Sequence, residues 1–130
     1  MPKRPLISIV DDDESVREAT QSLMRALGFP AESFPSAGDF LSSDDLDSTR
    51  CLIADVQMPG MTGLELHNHL VATGHPIPTV LITAYPSDAI RSRALQAGVI
   101  AYLTKPFRED ELLGYIESAI AGSERSGDGA

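Results

Sequence analysis

Asp11, Asp12, Asp55, Thr83 and Lys105 are the residues of this sequence best placed for chemistry, because they stand where short apolar runs end. The runs are Leu6 to Val10, Cys51 to Ala54, Thr79 to Ile82 and Ile100 to Thr104, at intervals that leave room for helices. If they are parallel strands, all five polar groups emerge at one sheet edge, where open α/β proteins build their sites. Three carboxylates converging on one place repel each other and call for a positive partner. Oxygen donors favour a hard cation, and a site with few carboxylates that keeps water suits Mg²⁺ better than a calcium cage or the nitrogen and sulfur set of zinc. A carboxylate beside Mg²⁺ is able to attack phosphorus, and Asp55 is the candidate acceptor. Lys105 would balance charge on the transferred group, and the Thr83 hydroxyl would donate to a phosphoryl oxygen once it arrives.

The elements that must hold these residues follow from periodicity. Val16, Ala19, Leu23, Ala26 and Leu27 recur at helical spacing from Glu14 onward, and Gly28 supplies a helix stop. Ala31 to Phe34 reads as a short strand, Ser36 to Asp39 has the form of a capping box before Phe40 and Leu41, and Ser42 to Thr49 reads as loop. Met58-Pro59-Gly60-Met61 is a turn, and Thr62 with Glu65 caps a helix from Gly63 to about Thr73 that stops at Gly74. Ser87 or Asp88 caps a further helix through Ala97, ended by Gly98, and Leu112, Leu113, Ile116, Ala119 and Ile120 stripe the last one. Five strands alternating with five helices require a parallel sheet covered on both faces, an α/β three-layer sandwich.

The 130 residues, 42% of them hydrophobic, suffice for one domain with its own core. Residues 1–121 are expected to form that domain, and 122–130, with no group able to anchor them, a flexible tail or linker stub. Cys51, the one cysteine, opens a buried run and reads as structural; a reducing cytoplasm fits. The apolar stretch behind Lys3 and Arg4 is too short for a signal peptide or a membrane span. With 19 acidic residues against 10 basic ones, a net charge of -9 opposes direct binding to a phosphate backbone, so no nucleic acid is expected as a partner.

Four segments together resemble the receiver domain of bacterial two-component response regulators: Ile9-Val10-Asp11-Asp12-Asp13, Asp55 to Gly63, Leu81-Ile82-Thr83-Ala84, and Tyr102 to Phe107. Each alone is a weak signal, and all in order at this spacing are a strong one. The resemblance covers residues 6 to about 120 and implies a flavodoxin-like fold with strand order 2-1-3-4-5. It implies that Asp55 accepts a phosphoryl group from a sensor histidine kinase, that Asp11, Asp12, Asp55 and the Gln57 backbone carbonyl surround Mg²⁺, and that Lys105 and Thr83 serve the transfer. Thr83 and Tyr102 become switch residues, and the bond before Pro106 is expected to be cis. It further implies a homodimer through the face of the fourth helix, fifth strand and fifth helix, and places control of phosphoryl lifetime at Gln57 and Tyr85. Tyr85-Pro86-Ser87 departs from the Gly-containing loop of many relatives and is expected to be stiffer. The segments Ser36 to Leu41 and Lys105 to Phe107 look most like the nitrogen-fixation regulator subgroup, whose members often carry a helix-turn-helix domain after the receiver. The chain is therefore expected to be a single-domain regulator or the receiver part of something longer.

Two other functions compete. A magnesium phosphatase of the haloacid dehalogenase type also attacks through an aspartate after its first strand, and Asp11 to Ser15 half resembles its signature, but the late acidic pair and room for a cap domain are missing. A receiver-like binding module that is never phosphorylated would have little reason to keep a repulsive carboxylate cluster. Asp13 and Glu14 read as an ordinary helix start, favourably placed at the positive end of its dipole. His67 and His69, two apart on a helix, do not face each other and are not read as a metal pair. His75 reads as exposed loop, and Met58 and Met61 as turn packing.

Overall fold

Alternation along the strands decides the architecture of the chain, whose computed structural model describes the backbone of residues 5–129 and the side chains of residues 5–121. In β1 (Leu6–Val10) Ile7 and Ile9 join one core and Val10 the other; in β3 (Thr49–Asp55) Cys51 and Ile53 oppose Leu52 and Ala54 in the same way. Strands that are apolar on both faces must be covered on both. One face is closed by α1 (Glu14–Ala26) and α5 (Glu109–Gly129) through Met24, Leu112, Ile116 and Ala119. The other is closed by α2 (Ala37–Leu41), α3 (Gly63–Ala72) and α4 (Asp88–Gln96) through Phe40, Leu66, Leu70 and Ala94.

With β2 (Ala31–Phe34), β4 (Thr79–Thr83) and β5 (Ala101–Thr104), the strands form one parallel sheet in the order β2-β1-β3-β4-β5. This is the flavodoxin-like order that the sequence resemblance implies. After β2 the chain crosses back over β1 to lay down β3, so the crossovers diverge between β1 and β3 and leave a crevice at their carboxyl ends.

Capping fixes where the helices at that edge begin. Asp13 accepts from Val16 N–H at 3.2 Å, and Ser87 accepts from Ile90 N–H at 3.3 Å. Thr62 and Glu65 form a reciprocal box, with bonds of 3.1 and 2.9 Å. Each cap of this kind is worth about 1 kcal/mol. Gly63 allows α3 to start against β3: a Cβ there would collide with the Asp55 carbonyl oxygen and come within 3.0 Å of a Leu81 methyl.

Several boundaries differ from the sequence reading. β3 begins at Thr49 rather than Cys51, because the Thr49 side chain is tied to Ser8 Oγ at 2.7 Å and to the Asp45 carbonyl at 2.7 Å, and its backbone pairs with Leu6. Asp55 and Thr83 are the last rungs of their strands, Asp55 beside Ile82 and Thr83 beside Thr104, and β5 starts one residue later than expected. The inward stripe of α1 is Thr20 and Met24 with Val16 and Leu23 partly covered, while Ala19, Ala26 and Leu27 are exposed. Thr20 is tolerated inside because its hydroxyl donates to the Val16 carbonyl at 2.8 Å. α5 is helical in its backbone as far as Gly129, through most of 122–130, the segment expected as a tail; its side chains lie outside the described residues. Among the described residues no helix is long and apolar enough to cross a membrane.

Candidate functional site

The crevice collects the residues the sequence singles out. Asp11, fully buried, follows directly on β1, with Asp12 exposed beside it; β3 delivers Asp55, which is 7% exposed. One carboxylate oxygen of each of Asp11, Asp12 and Asp55 lies within 4.8 Å of the others. From the far side of the sheet, Lys105 follows β5 and sends its ammonium between two of them, 3.2 Å from Asp11 Oδ2 and 3.3 Å from Asp55 Oδ2. The peptide bond joining Lys105 to Pro106 is cis, as the resemblance implies.

The three acids are engaged differently. Asp11 has one oxygen on Lys105 and the other accepting from Asp13 N–H at 2.9 Å. Asp55 has one oxygen on Lys105 and the other accepting from Gln57 N–H at 3.1 Å. Asp12 stands in solvent beside them, the carboxylate most accessible to an ion.

Electrostatics sharpen the picture. Burial pushes the Asp55 carboxyl above the ordinary aspartate pKa and the Asp11 charge adds to the push, against the pull of Lys105 and the Gln57 N–H. Burial also works against the Lys105 ammonium, but Asp11 and Asp55 outweigh it, so Lys105 holds its proton more tightly than an ordinary lysine. One ammonium among three carboxylates leaves net negative charge in an oxygen-only donor set, which fits a hard divalent cation.

Thr83 is fully buried at the end of β4, and its hydroxyl lies in a chain of contacts. It donates to Gln57 Oε1 at 2.6 Å and accepts from Tyr85 N–H at 2.9 Å. Two residues on, Ser87 N–H donates to the Tyr102 hydroxyl at 3.1 Å, so half-buried Tyr102 on β5 reaches the start of α4.

The geometry has close counterparts among known proteins. The family model described as the response regulator receiver domain matches residues 7–117. The chain belongs to the response regulator receiver family. It is 42% identical over 115 residues to the response regulator protein TodT of Pseudomonas putida, covering 88% of this chain and 51% of that one. It is 34% identical over 118 residues to the transcriptional regulatory protein FixJ of Bradyrhizobium diazoefficiens, covering 91% of this chain and 58% of that one. The solved structure of the response regulator StyR superposes with a TM-score of 0.87 at 41% identity, over 96% of this chain and 64% of that one. The crystal structure of FixJ-N superposes with a TM-score of 0.82 at 30% identity, over 92% of this chain and 96% of that one. The chain thus spans about half the length of the curated relatives it matches.

As a receiver domain, the chain brings together Asp11, Asp12, Asp55 and Lys105 directly, and joins Thr83 to the same edge through Gln57. The resemblance implies a part for the Gln57 side chain in phosphoryl lifetime, but sequence reasoning missed that its amide oxygen accepts from the Thr83 hydroxyl. It also missed Arg17, whose Nη1 donates to the Asp11 carbonyl at 2.9 Å. Arg17 lies one helical turn past the N-cap Asp13, and that spacing was a usable signal. His67 turned out to be buried, its Nδ1 3.0 Å from Thr79 Oγ1 and its Nε2–H donating to the Ala97 carbonyl at 3.0 Å, whereas His69 is exposed. Half-exposed His75 lies 3.4 Å from Asp47.

Proposed function

We propose that this receiver domain takes a phosphoryl group from the phosphohistidine of a sensor histidine kinase onto a carboxylate oxygen of Asp55. The phosphorus–nitrogen bond of the donor breaks as the bond from Asp55 to phosphorus forms, and the imidazole leaves with the electron pair. Asp11, Asp12, Asp55 and the Gln57 backbone carbonyl would hold Mg²⁺, which when bound neutralises phosphoryl oxygens. Lys105 holds Asp55 in place before transfer and offers its ammonium to the phosphoryl group afterwards. Thr83 supplies a hydroxyl at the end of the neighbouring strand, and Tyr102 couples that region to α4 as the second switch residue.

The observation that carries this reading is the Lys105 ammonium shared by buried Asp11 and Asp55, with Asp12 completing the acidic cluster. Residues 1–121 form the receiver unit, which modifies itself and is not a turnover enzyme. It works in the cytoplasm, leaves direct contact with nucleic acid to other domains or partners, and uses the face of α4, β5 and α5 for dimerisation. The family match leaves the haloacid dehalogenase reading without support, and the complete set of acid, hydroxyl and ammonium groups weighs against a purely binding module.

The test is incubation with Mg²⁺ and acetyl phosphate, read by intact mass. The wild type gains one phosphoryl group, and the gain disappears without Mg²⁺ and in Asp55→Asn. An equal gain in Asp55→Asn would refute the assignment.

A further inference from the structure

Thr83 has one hydroxyl proton, and in the resting structure that proton is already committed. Tyr85 N–H donates to Thr83 Oγ1 at 2.9 Å, which occupies a lone pair, and the hydroxyl proton goes to Gln57 Oε1 at 2.6 Å. Gln57 is tied at its other end to the phosphoacceptor, since its backbone N–H donates to Asp55 Oδ1 at 3.1 Å. A single residue thus touches Asp55 with its backbone and holds the Thr83 hydroxyl with its side chain. Gln57 is solvent-exposed and Thr83 fully buried, so the amide lies on the open side of the hydroxyl.

We propose that Gln57 is a positioning residue that latches the resting state: its amide oxygen holds the only proton with which Thr83 could bind a phosphoryl group on Asp55. The latch rests on the reading of Asp55 as phosphoacceptor. A hydroxyl with one proton cannot serve the Gln57 oxygen and a phosphoryl oxygen together, so the two acceptors compete for Thr83. The anionic phosphoryl oxygen is the stronger acceptor, because a hydrogen bond to a charged group outweighs a neutral one. Modification of Asp55 therefore draws Thr83 away from Gln57, while the same bond opposes the move in the unmodified protein. Tyr85 N–H is held by the same Oγ1, and the next N–H in that loop, that of Ser87 beyond Pro86, is held by Tyr102. Release of Thr83 from Gln57 is thus transmitted along 85–87 to the start of α4.

The latch is tested in the unphosphorylated full chain by hydrogen exchange at the Tyr85 amide, followed by NMR. Gln57→Met keeps the length of the side chain and removes the acceptor. The expected result is exchange at Tyr85 faster by roughly two- to tenfold, the range that corresponds to one net neutral hydrogen bond. Gln57→Ala is expected to do the same. In a Thr83→Val background, where Tyr85 N–H has already lost its acceptor, Gln57→Met should add nothing. The Leu52 amide, which donates to the Pro78 carbonyl at 2.9 Å within the sheet, serves as the reference for general loosening. Unchanged exchange at Tyr85, an equal change at Leu52, or an undiminished effect in Thr83→Val would each overturn the latch. Because no phosphodonor is used, this failure is distinct from failure of the phosphoacceptor reading, which appears as a wild type that gains no adduct from acetyl phosphate and Mg²⁺.

Discussion

The two ends of the sheet each carry buried polar side chains, and they are built on opposite terms. At the amino end, Thr49 bonds to Ser8 and to the Asp45 carbonyl, and His67 joins Thr79 to the last turn of α4 through the Ala97 carbonyl. Each of these side chains finds its partners within the chain, and the network is closed. At the carboxyl end, Asp11, Asp12 and Asp55 converge on one ammonium, and Asp55 is held above the ordinary aspartate pKa first by burial and then by Asp11. Histidine and threonine at the first end look as chemical in the sequence as aspartate and lysine at the second. What separates them is that one network is satisfied within the chain and the other has charge left over for something that arrives.

The largest effect that distinguishes the ends comes from His67→Ala. Removing the ring opens a cavity, leaves the Ala97 carbonyl without its partner and takes one of two partners from the Thr79 hydroxyl, which keeps its bond to the Ile77 carbonyl, so denaturant unfolding should lose about 2–4 kcal/mol. The protein that remains folded should still gain a phosphoryl group from acetyl phosphate. A variant as stable as the wild type, or one that stays folded yet takes no adduct, would break the contrast between a structural end and a chemical one.

Metal dependence gives the next largest effect. Mg²⁺ at ten times its dissociation constant should stabilise the wild type by about 1.4 kcal/mol. That increment should vanish in Asp12→Ala, which removes the exposed carboxylate of the cluster and leaves the Lys105 pairs intact. An undiminished increment in Asp12→Ala would place the ion elsewhere.

A smaller change is expected from Tyr102→Phe, which deprives Ser87 N–H of its acceptor at the start of α4. Because that bond is only part-buried and water can replace it, the cost should be at most about 1 kcal/mol, with Asp55 still modified. A loss several times larger would mean that the Tyr102 hydroxyl does more for the fold than accept one part-buried bond at the start of α4.

The smallest effect is an absence of reaction. Burial pushes the Cys51 thiol up to about 12, so at pH 8 it is protonated as well as inaccessible. A thiol reagent should label the native protein only at the rate of unfolding, and the denatured protein at once. Fast labelling of the native protein would show that the sheet opens at β3, between the two ends being compared.

The chemical end of the sheet was the more legible in the sequence. Asp11, Asp55, Thr83 and Lys105 each stand where an apolar run stops, and parallel strands turn those positions into one edge whatever the details of packing. The strand order came from the family motifs, because periodicity gives the faces of strands and not their neighbours. The amino end was hidden because its contacts are long in sequence: His67 finds the Ala97 carbonyl thirty residues on, and Thr49 finds Ser8 forty-one residues back. The inward face of α1 was misjudged for a local reason, since Thr20 hides its hydroxyl on its own helix and packs as an apolar residue would. The Gln57 amide was unreadable because a side-chain rotamer, not a motif, brings it to Thr83.

The central claim is that Asp55 alone among the three acids receives the phosphoryl group. Borohydride reduces an acyl phosphate to an alcohol, so a phosphorylated aspartate is converted to homoserine and marked in the chain. After treatment with acetyl phosphate and Mg²⁺, peptide mass spectrometry should find homoserine at position 55 and unaltered aspartate at positions 11 and 12. Homoserine at 11 or 12, or at none of the three in a protein that has gained a phosphoryl group, would contradict the account.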